Sequence, residues 1–413
     1  MPAQAELFAP TADMYVLPTP EPAEPAQPLE PISPVPLKLV KPAPGEQHII
    51  VHPERVDEVL GKLVTAHAAN EFPYHLDTTR VPQDPRHMPE KLPLGDVEHA
   101  MFLWTVCYYM RGGIKSVDAF RRLASMYDRE PGLFNADEAR HAAPAHIAQL
   151  LKRHGLGFQD SISKLWVTNA QRMQDRWDGN PLNIYKEVET YDDAVARIAN
   201  HKGKKRRHGQ DYEGFIGFQE KMVSMITYYL TQQNMVEYFD FPLPVDLHVL
   251  RVTLANEMIT FDGYDEGENL LSEELLFAMR QLYHNYAVAN KVSTIDLCDS
   301  VWLLSESLCG MQPGNITLEP NGRKKRQGRS TLLIPGPIDF NNETQRRDYD
   351  RSCGNCPIND TCEWNIPSKP YYIGGVVYLR GRRAAFPKPG QLGFIDIKTD
   401  RLEVVTSELN TAL

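Results

Sequence analysis

Four cysteines towards the C-terminal end carry the clearest chemistry in this sequence. Cys353, Cys356 and Cys362 sit in R-S-C-G-N-C-P-I-N-D-T-C-E-W, and Cys309 precedes them in S-E-S-L-C-G-M-Q-P. A C-x2-C-x5-C run closes two tight turns, so three thiolates can converge on one soft metal centre and Cys309 can complete a four-thiolate set. Zinc accepts the same ligands, but the five-residue gap and the flanking Pro and Asp suit a cubane [4Fe-4S] cluster better. Cys107 and Cys298 bring the total to six, with Cys298 as the reserve ligand should Cys309 point elsewhere. Unrelated buried thiols are the plain alternative.

A second group of residues could do acid–base or electrophilic work. In G-F-I-G-F-Q-E-K-M-V-S-M-I-T-Y-Y-L, residues 214–230, a glycine-bearing turn feeds an apolar helix that begins near Lys221. Backbone N–H groups in such a turn, beside a helix N-terminus, form an anion site suited to a phosphate. Downstream, F-P-L-P-V-D-L-H-V-L-R forces an extended approach at Pro242 and Pro244, and Asp246 then starts the next helix. Taken singly, Lys221 reads as a solvated helix lysine, Asp246 as an N-cap and His248 as a structural histidine.

The elements that must position these residues are mostly helical. Asp96 caps V-E-H-A-M-F-L-W-T-V-C-Y-Y-M, apolar on most faces and therefore a buried central helix. Amphipathic stretches follow in V-D-A-F-R-R-L-A-S-M-Y, A-P-A-H-I-A-Q-L-L-K-R-H-G and I-S-K-L-W-V-T-N-A-Q-R-M-Q-D-R-W, with Gly155 as a helix stop. The expected divisions are a disordered Pro-rich arm over 1–45, an N-terminal extension over 46–95 with one strand and one helix, and a helical core over 96–305. A cysteine region with a basic insertion covers 306–370, and a small antiparallel sheet covers 371–413.

Composition sets the outer limits. With 413 residues, 42% of them apolar, the chain can hold a sizeable core. No apolar run reaches membrane-span length and no stretch reads as a signal peptide, so the expectation is a cytoplasmic protein without a membrane partner. Six cysteines are too few and too unevenly spread for a secreted disulfide scaffold, which fits a reducing compartment. The formal net charge of −10 argues against a generic nucleic-acid coat, but local basic patches rather than net charge make phosphate contacts. Two such runs exist: K-G-K-K-R-R-H-G, with Lys204, Lys205, Arg206 and Arg207, and G-R-K-K-R-Q-G-R, with Arg323, Lys324, Lys325 and Arg326. Arg380, Arg382 and Arg383 extend the same footprint.

The order of helical region, glycine turn with lysine, P-V-D-x-H-V-x-R and four cysteines resembles the helix-hairpin-helix DNA glycosylase superfamily, above all its iron–sulfur branch typified by endonuclease III. The likeness covers roughly residues 96 to 365. It implies a mainly α, two-lobed glycosylase-like fold with an iron–sulfur loop, and double-stranded DNA with a flipped base as partner. F-I-G-F-Q-E-K-M-V falls on the hairpin, with Gly214, Gly217 and Gln219 against the DNA backbone. Lys221 falls on the family's catalytic lysine and Asp246 on the aspartate beside it. Cys309, Cys353, Cys356 and Cys362 fall on the cluster ligands. L-G-F-Q-D-S-I-S-K-L-W-V-T-N-A-Q-R-M looks like the helix that precedes the hairpin.

The departures point to a particular branch. Gln219 stands where a second hairpin glycine is usual, the first buried helix ends in M-R-G-G rather than a gap-filling glutamine, and 43 residues separate Cys309 from Cys353 where six are usual. These features look more like the phage α-glutamyl/putrescinyl thymine pyrophosphorylases, or amino acid:DNA transferases. That resemblance implies transfer of a free amino acid, such as glycine, onto a (pyro)phosphorylated 5-hydroxymethyluracil in phage DNA within the host cytoplasm. Lys221 would then be a cationic clamp on the departing phosphate and Asp246 the base for the incoming ammonium. The endonuclease III reading instead makes Lys221 a Schiff-base nucleophile in a glycosylase and lyase. A non-catalytic DNA-binding module is a third reading, against which the retained Lys221 and Asp246 weigh. The sequence leaves the oligomeric state open.

Overall fold

The computed structural model describes residues 48–110, 114–200, 213–262, 273–309 and 343–362, and a few short strands beyond them. The first described elements answer directly to the sequence pattern: β1 (His48–Val51), then α1 (Pro53–Ala68) with proline in its first turn and Val56, Val59, Leu60 and Leu63 on its buried face. Asp96 caps α2 (Val97–Val106), accepting from the Glu98 N–H, and every residue from His99 to Val106 is buried. A 3-10 turn over Cys107–Tyr109 prolongs α2. Then come α3 (Ser116–Tyr127), the single turn α4 (Ala136–Ala139), α5 (Pro144–Arg153) and α6 (Gln159–Trp177). Gly155 has φ +69°, a left-handed stop after α5.

The next stretch holds α7 (Tyr191–Ile198), α8 (Glu220–Gln232), α9 (Leu247–Ala255), β2 (Ile259–Asp262), α10 (Glu273–Asn290) and α11 (Thr294–Ser307). Thr190 and Asp193 close a reciprocal capping box on α7. β1 pairs antiparallel with β2, Ile49 opposite Phe261 and Val51 opposite Ile259. Because α1 also packs on α10 and α11, residues 48–68 are not an appendage to a later core. They complete the layer formed by α9, α10 and α11. The helices from α2 to α7 pack mainly among themselves, and α8 touches both groups through α2 and α11. Lys221 therefore starts a helix at the join between the two groups.

Beyond α11, β3 (Asn315–Thr317) pairs with β4 (Leu333–Pro335), and α12 (Glu343–Tyr349) runs into a π-helical turn over Asp350–Gly354. The C-terminal sheet expected from residue 371 is two separate antiparallel pairs, β5 (Val377–Leu379) with β6 (Arg383–Ala385) and β7 (Leu392–Asp396) with β8 (Arg401–Val405). Each pair is a local hairpin: alternation fixes the strands, while the short loops favour pairing with the nearest neighbour in sequence. The protein is mainly α, as the helical periodicity requires. The Pro-rich arm over 1–45 lies outside the described residues.

Candidate active site and cysteine loop

The glycine turn is fastened to α7, α6 and α2. Phe215 N–H donates to Ile198 O at 2.9 Å, and Asn200 N–H donates to Phe218 O at 2.7 Å, which joins the end of α7 to the start of α8. Gly214 lies so close to α7 that a Cβ on it would stand 1.8 Å from Ala199 O, at a φ of +73°. Only glycine fits there. Gly217 adopts φ +90° at the tip. From below, α6 supplies Asn169, whose amide bonds both the N–H and the carbonyl of Ile216, at 2.8 and 3.0 Å, and Arg172, which bonds Gly214 O and Glu213. Phe218 stacks on Trp104 of the buried α2 with ring centroids 4.5 Å apart. The helix immediately before the turn is α7; the longer α6, expected in that place, holds it laterally. Gln219 is the N-cap residue of α8 but makes no side-chain cap, since its amide donates to Asn200 O instead.

Lys221 occupies the first turn of α8 and Asp246 is the N-cap of α9. Burial pushes the Lys221 ammonium below its ordinary range, and the nearby Asp246 carboxylate partly offsets this. The two feel each other's charge but form no direct ion pair among the described residues. Asp246 Oδ1 accepts from His248 N–H at 2.8 Å and Val249 N–H at 3.1 Å, which leaves Oδ2 without a hydrogen bond among the described residues. The Lys221 ammonium likewise has no hydrogen bond among the described residues.

Two groups near this pair carry more than the sequence suggested. His248 packs its ring on Trp302, centroids 5.2 Å apart, and its Nδ1 lies 3.2 Å from Ser305 Oγ. Arg251, one turn further along α9, directs Nη1 to Ser305 O and Oγ at 3.5 and 3.4 Å. Ser305 is fully buried on α11, four residues before Cys309, and draws that thiol down. The i, i+4 spacing of Ser305 and Cys309 was the available signal. The second group is Asp299, on the same helix. Burial pushes its carboxyl up to about 7, against the hydrogen bonds donated by Tyr228 and by Gln232 at 3.4 Å.

The cysteine loop is fastened to the layer of α1, α9 and α11. Cys356 N–H donates to Cys353 O at 3.1 Å and Cys362 N–H to Ile358 O at 3.0 Å, the two tight turns that the spacing demands. Ile358 is buried, and Thr361 donates to Asn256 at 2.9 Å just past α9. Burial pushes the Cys356 thiol up, and so do Cys309, Cys362 and Cys353, which places all four sulfurs in one neighbourhood. Burial also raises the Cys309 thiol, while Arg251 and Ser305 draw it down. Cys298 is buried on α11 with Asp299 and Asp246 as its charged neighbours.

Among the described residues no three or more His, Cys, Asp or Glu side chains form a group that could hold a metal ion. A cubane holds its thiolates further apart than zinc does, with its ligands at ~2.3 Å from a single centre. In donor chemistry, four thiols with a guanidinium beside one of them suit an anionic iron–sulfur cluster. Lys204, Lys205, Arg206, Arg207, Arg323, Lys324, Lys325 and Arg326 lie outside the described residues. Among the described residues no helix is long and apolar enough to cross a membrane. Comparison with models of known protein families finds no match for this chain, and comparison with curated proteins finds none either.

Proposed function

We propose that this protein is a DNA-base hypermodification enzyme that transfers a free amino acid, glycine being the simplest, onto a (pyro)phosphorylated 5-hydroxymethyluracil in double-stranded DNA. The observation that carries this reading is the separated pair of charges, Lys221 and Asp246, at the starts of two helices. An ammonium and a carboxylate that sense each other without touching make a polarised gap. A substitution in which an anion leaves one side and an ammonium arrives at the other matches that polarity. The base would be flipped out of the stack to reach it.

On this reading Lys221 faces the departing phosphate, and the free Oδ2 of Asp246 receives the incoming ammonium. The glycine turn, with φ +90° at Gly217 and the uncapped N-terminus of α8, offers backbone N–H groups to the DNA backbone. Cys309, Cys353, Cys356 and Cys362 would hold a [4Fe-4S] cluster, which would cross-link the loop to α11 when bound.

The second reading, a glycosylase and lyase of the endonuclease III type, is favoured by one observation. Burial lowers the Lys221 ammonium, and a neutral amine is what attack at C1′ requires. The two readings make opposite demands on the glycosidic bond. Incubation with one duplex carrying damaged bases and another carrying 5-(pyrophosphoryloxymethyl)uracil plus amino acids separates them by mass spectrometry of the digested nucleosides. An aminoacylated thymidine is the expected product; an abasic site, or a DNA adduct trapped by borohydride, selects the glycosylase.

A further inference from the structure

The backbone N–H groups that the proposed function offers to a DNA phosphate stand beside a carboxylate. Gln219 leaves the start of α8 without a side-chain cap, and the next residue, Glu220, puts a negative charge in the first turn. For the helix alone this is favourable, because the charge complements the positive end of the helix dipole. For a phosphate it is not. Two anions at one helix start repel, and the pull of the N–H groups is opposed. Binding DNA through this turn therefore requires the Glu220 side chain to be held away from it.

The structure holds Glu220 by its backbone and by its side chain. From α7, the Tyr191 hydroxyl donates to the Glu220 carbonyl oxygen at 2.7 Å, and Ser224 Oγ, one turn along α8, donates to the Tyr191 oxygen at 3.0 Å. These bonds fix the backbone of the first turn. From α10, Arg280 sets its Nη2 3.3 Å from Glu220 Oε2. The Arg280 side chain is 14% exposed and that of Glu220 48%. The guanidinium is thus the anchored partner, and the carboxylate is the one that can swing. A cation so enclosed is poorly placed to reach a duplex, so its charge acts on Glu220 rather than on DNA.

We infer that Arg280 is a positioning residue for DNA: it draws the Glu220 carboxylate towards α10 and leaves the N–H groups at the start of α8 open to a phosphate. This rests on the reading of the glycine turn as a contact with the DNA backbone. The ion pair acts twice, by moving the carboxylate aside and by cancelling its charge for an approaching anion. Arginine suits the task better than lysine, because its guanidinium stays charged and is less strongly hydrated, so partial burial costs it less.

The test measures binding of a fluorescein-labelled duplex carrying 5-(pyrophosphoryloxymethyl)uracil to the full-length, cluster-loaded protein at low salt. Arg280→Met should bind about tenfold more weakly than wild type, because the released carboxylate then repels the phosphate at short range. The deficit should shrink as salt is raised. Glu220→Gln should bind at least as tightly as wild type, and the double variant Arg280→Met with Glu220→Gln should recover wild-type affinity. A double variant as weak as Arg280→Met overturns the inference, since the loss then comes from a direct DNA contact or from the fold and not from Glu220. Arg280→Met binding like wild type overturns it as well. Should Arg280→Met fail to fold, Glu220→Gln alone decides: weaker binding by that variant overturns the inference. A wild type that binds no duplex overturns the DNA reading itself.

Discussion

Lys62 holds Asp360 across most of the chain, with Nζ 2.7 Å from Oδ2, and so ties α1 to the cysteine loop. The bridge is exposed, and such pairs contribute about 0–1 kcal/mol. Thr361, the next residue, is buried and donates to the buried Asn256. Losing it leaves a desolvated amide oxygen unpaired, which costs about 1–3 kcal/mol. Thr361→Val should therefore lower the unfolding midpoint and speed cluster loss clearly, while Lys62→Met should do little. The comparison is a pair of denaturant titrations monitored through the cluster absorbance.

Cysteine substitutions separate ligands from packing. Cys309→Ala, Cys353→Ala, Cys356→Ala and Cys362→Ala should each abolish the visible thiolate–iron absorbance and the bound iron and sulfide. Cys107→Ala and Cys298→Ala should retain both, because those side chains are buried outside the group. Colourless wild-type protein holding one zinc sinks the cluster assignment.

Lys221 should show the opposition between stability and function that marks a reacting group. Its native pKa lies below its unfolded value, so between the two the unfolded chain binds more protons. Stability then rises with pH through that window, and at neutral pH the charged lysine is a liability. Lys221→Met should raise the melting temperature at pH 7 while cutting product formation about a hundredfold or more. A melting temperature that falls on removing the charge shows that the ammonium is stabilised where it sits.

Much of this was legible from local pattern, and the failures have a common cause. Asp96 and Asp246 declared their helix starts because an N-cap is a contact within three residues. Gly214 and Gly217 announced a turn for the same reason. What could not be read was contact across the fold. The pairing of Ile49 with Phe261 placed the N-terminal segment in the later layer, and no local signal encodes that. The contact of His248 with Ser305 likewise joins two helices far apart in sequence. Asp299 carries no sign in sequence that burial beside Tyr228 would hold its proton to near neutrality.

Asp299 gives a pH prediction whose sign is the reverse of the usual carboxylate. Its folded pKa, about 7, lies above the ordinary carboxylate range, so between these the native state binds the extra proton. Stability contributed by the neutral acid is complete below the lower value and is lost as pH rises through about 7. Asp299→Asn, neutral at every pH, should remove that decline. Urea titrations at pH 5.5 and 8 should show wild type losing more stability than the variant between them; parallel losses would mean the carboxyl ionises without cost.

On the proposed function, Phe158, the residue just before α6, is a candidate contact with DNA. It is 56% exposed, and its backbone sits at φ +56°, a conformation that costs a bulky residue energy. The loop is held in place by Tyr109, which donates to Gly157 O at 3.4 Å, and by Arg122, which bonds Gly155 O. An aromatic ring fixed outward on a braced loop is suited to stack on or wedge between bases, an interaction worth about 1–3 kcal/mol per base. Phe158→Ala should weaken duplex binding by that amount and suppress the fluorescence rise of a 2-aminopurine placed at the target site, with no loss of thermal stability. Phe158→Gly should relieve the backbone strain and raise the melting temperature while binding DNA as poorly. Unaltered binding by both variants would show that this ring faces solvent in the complex too.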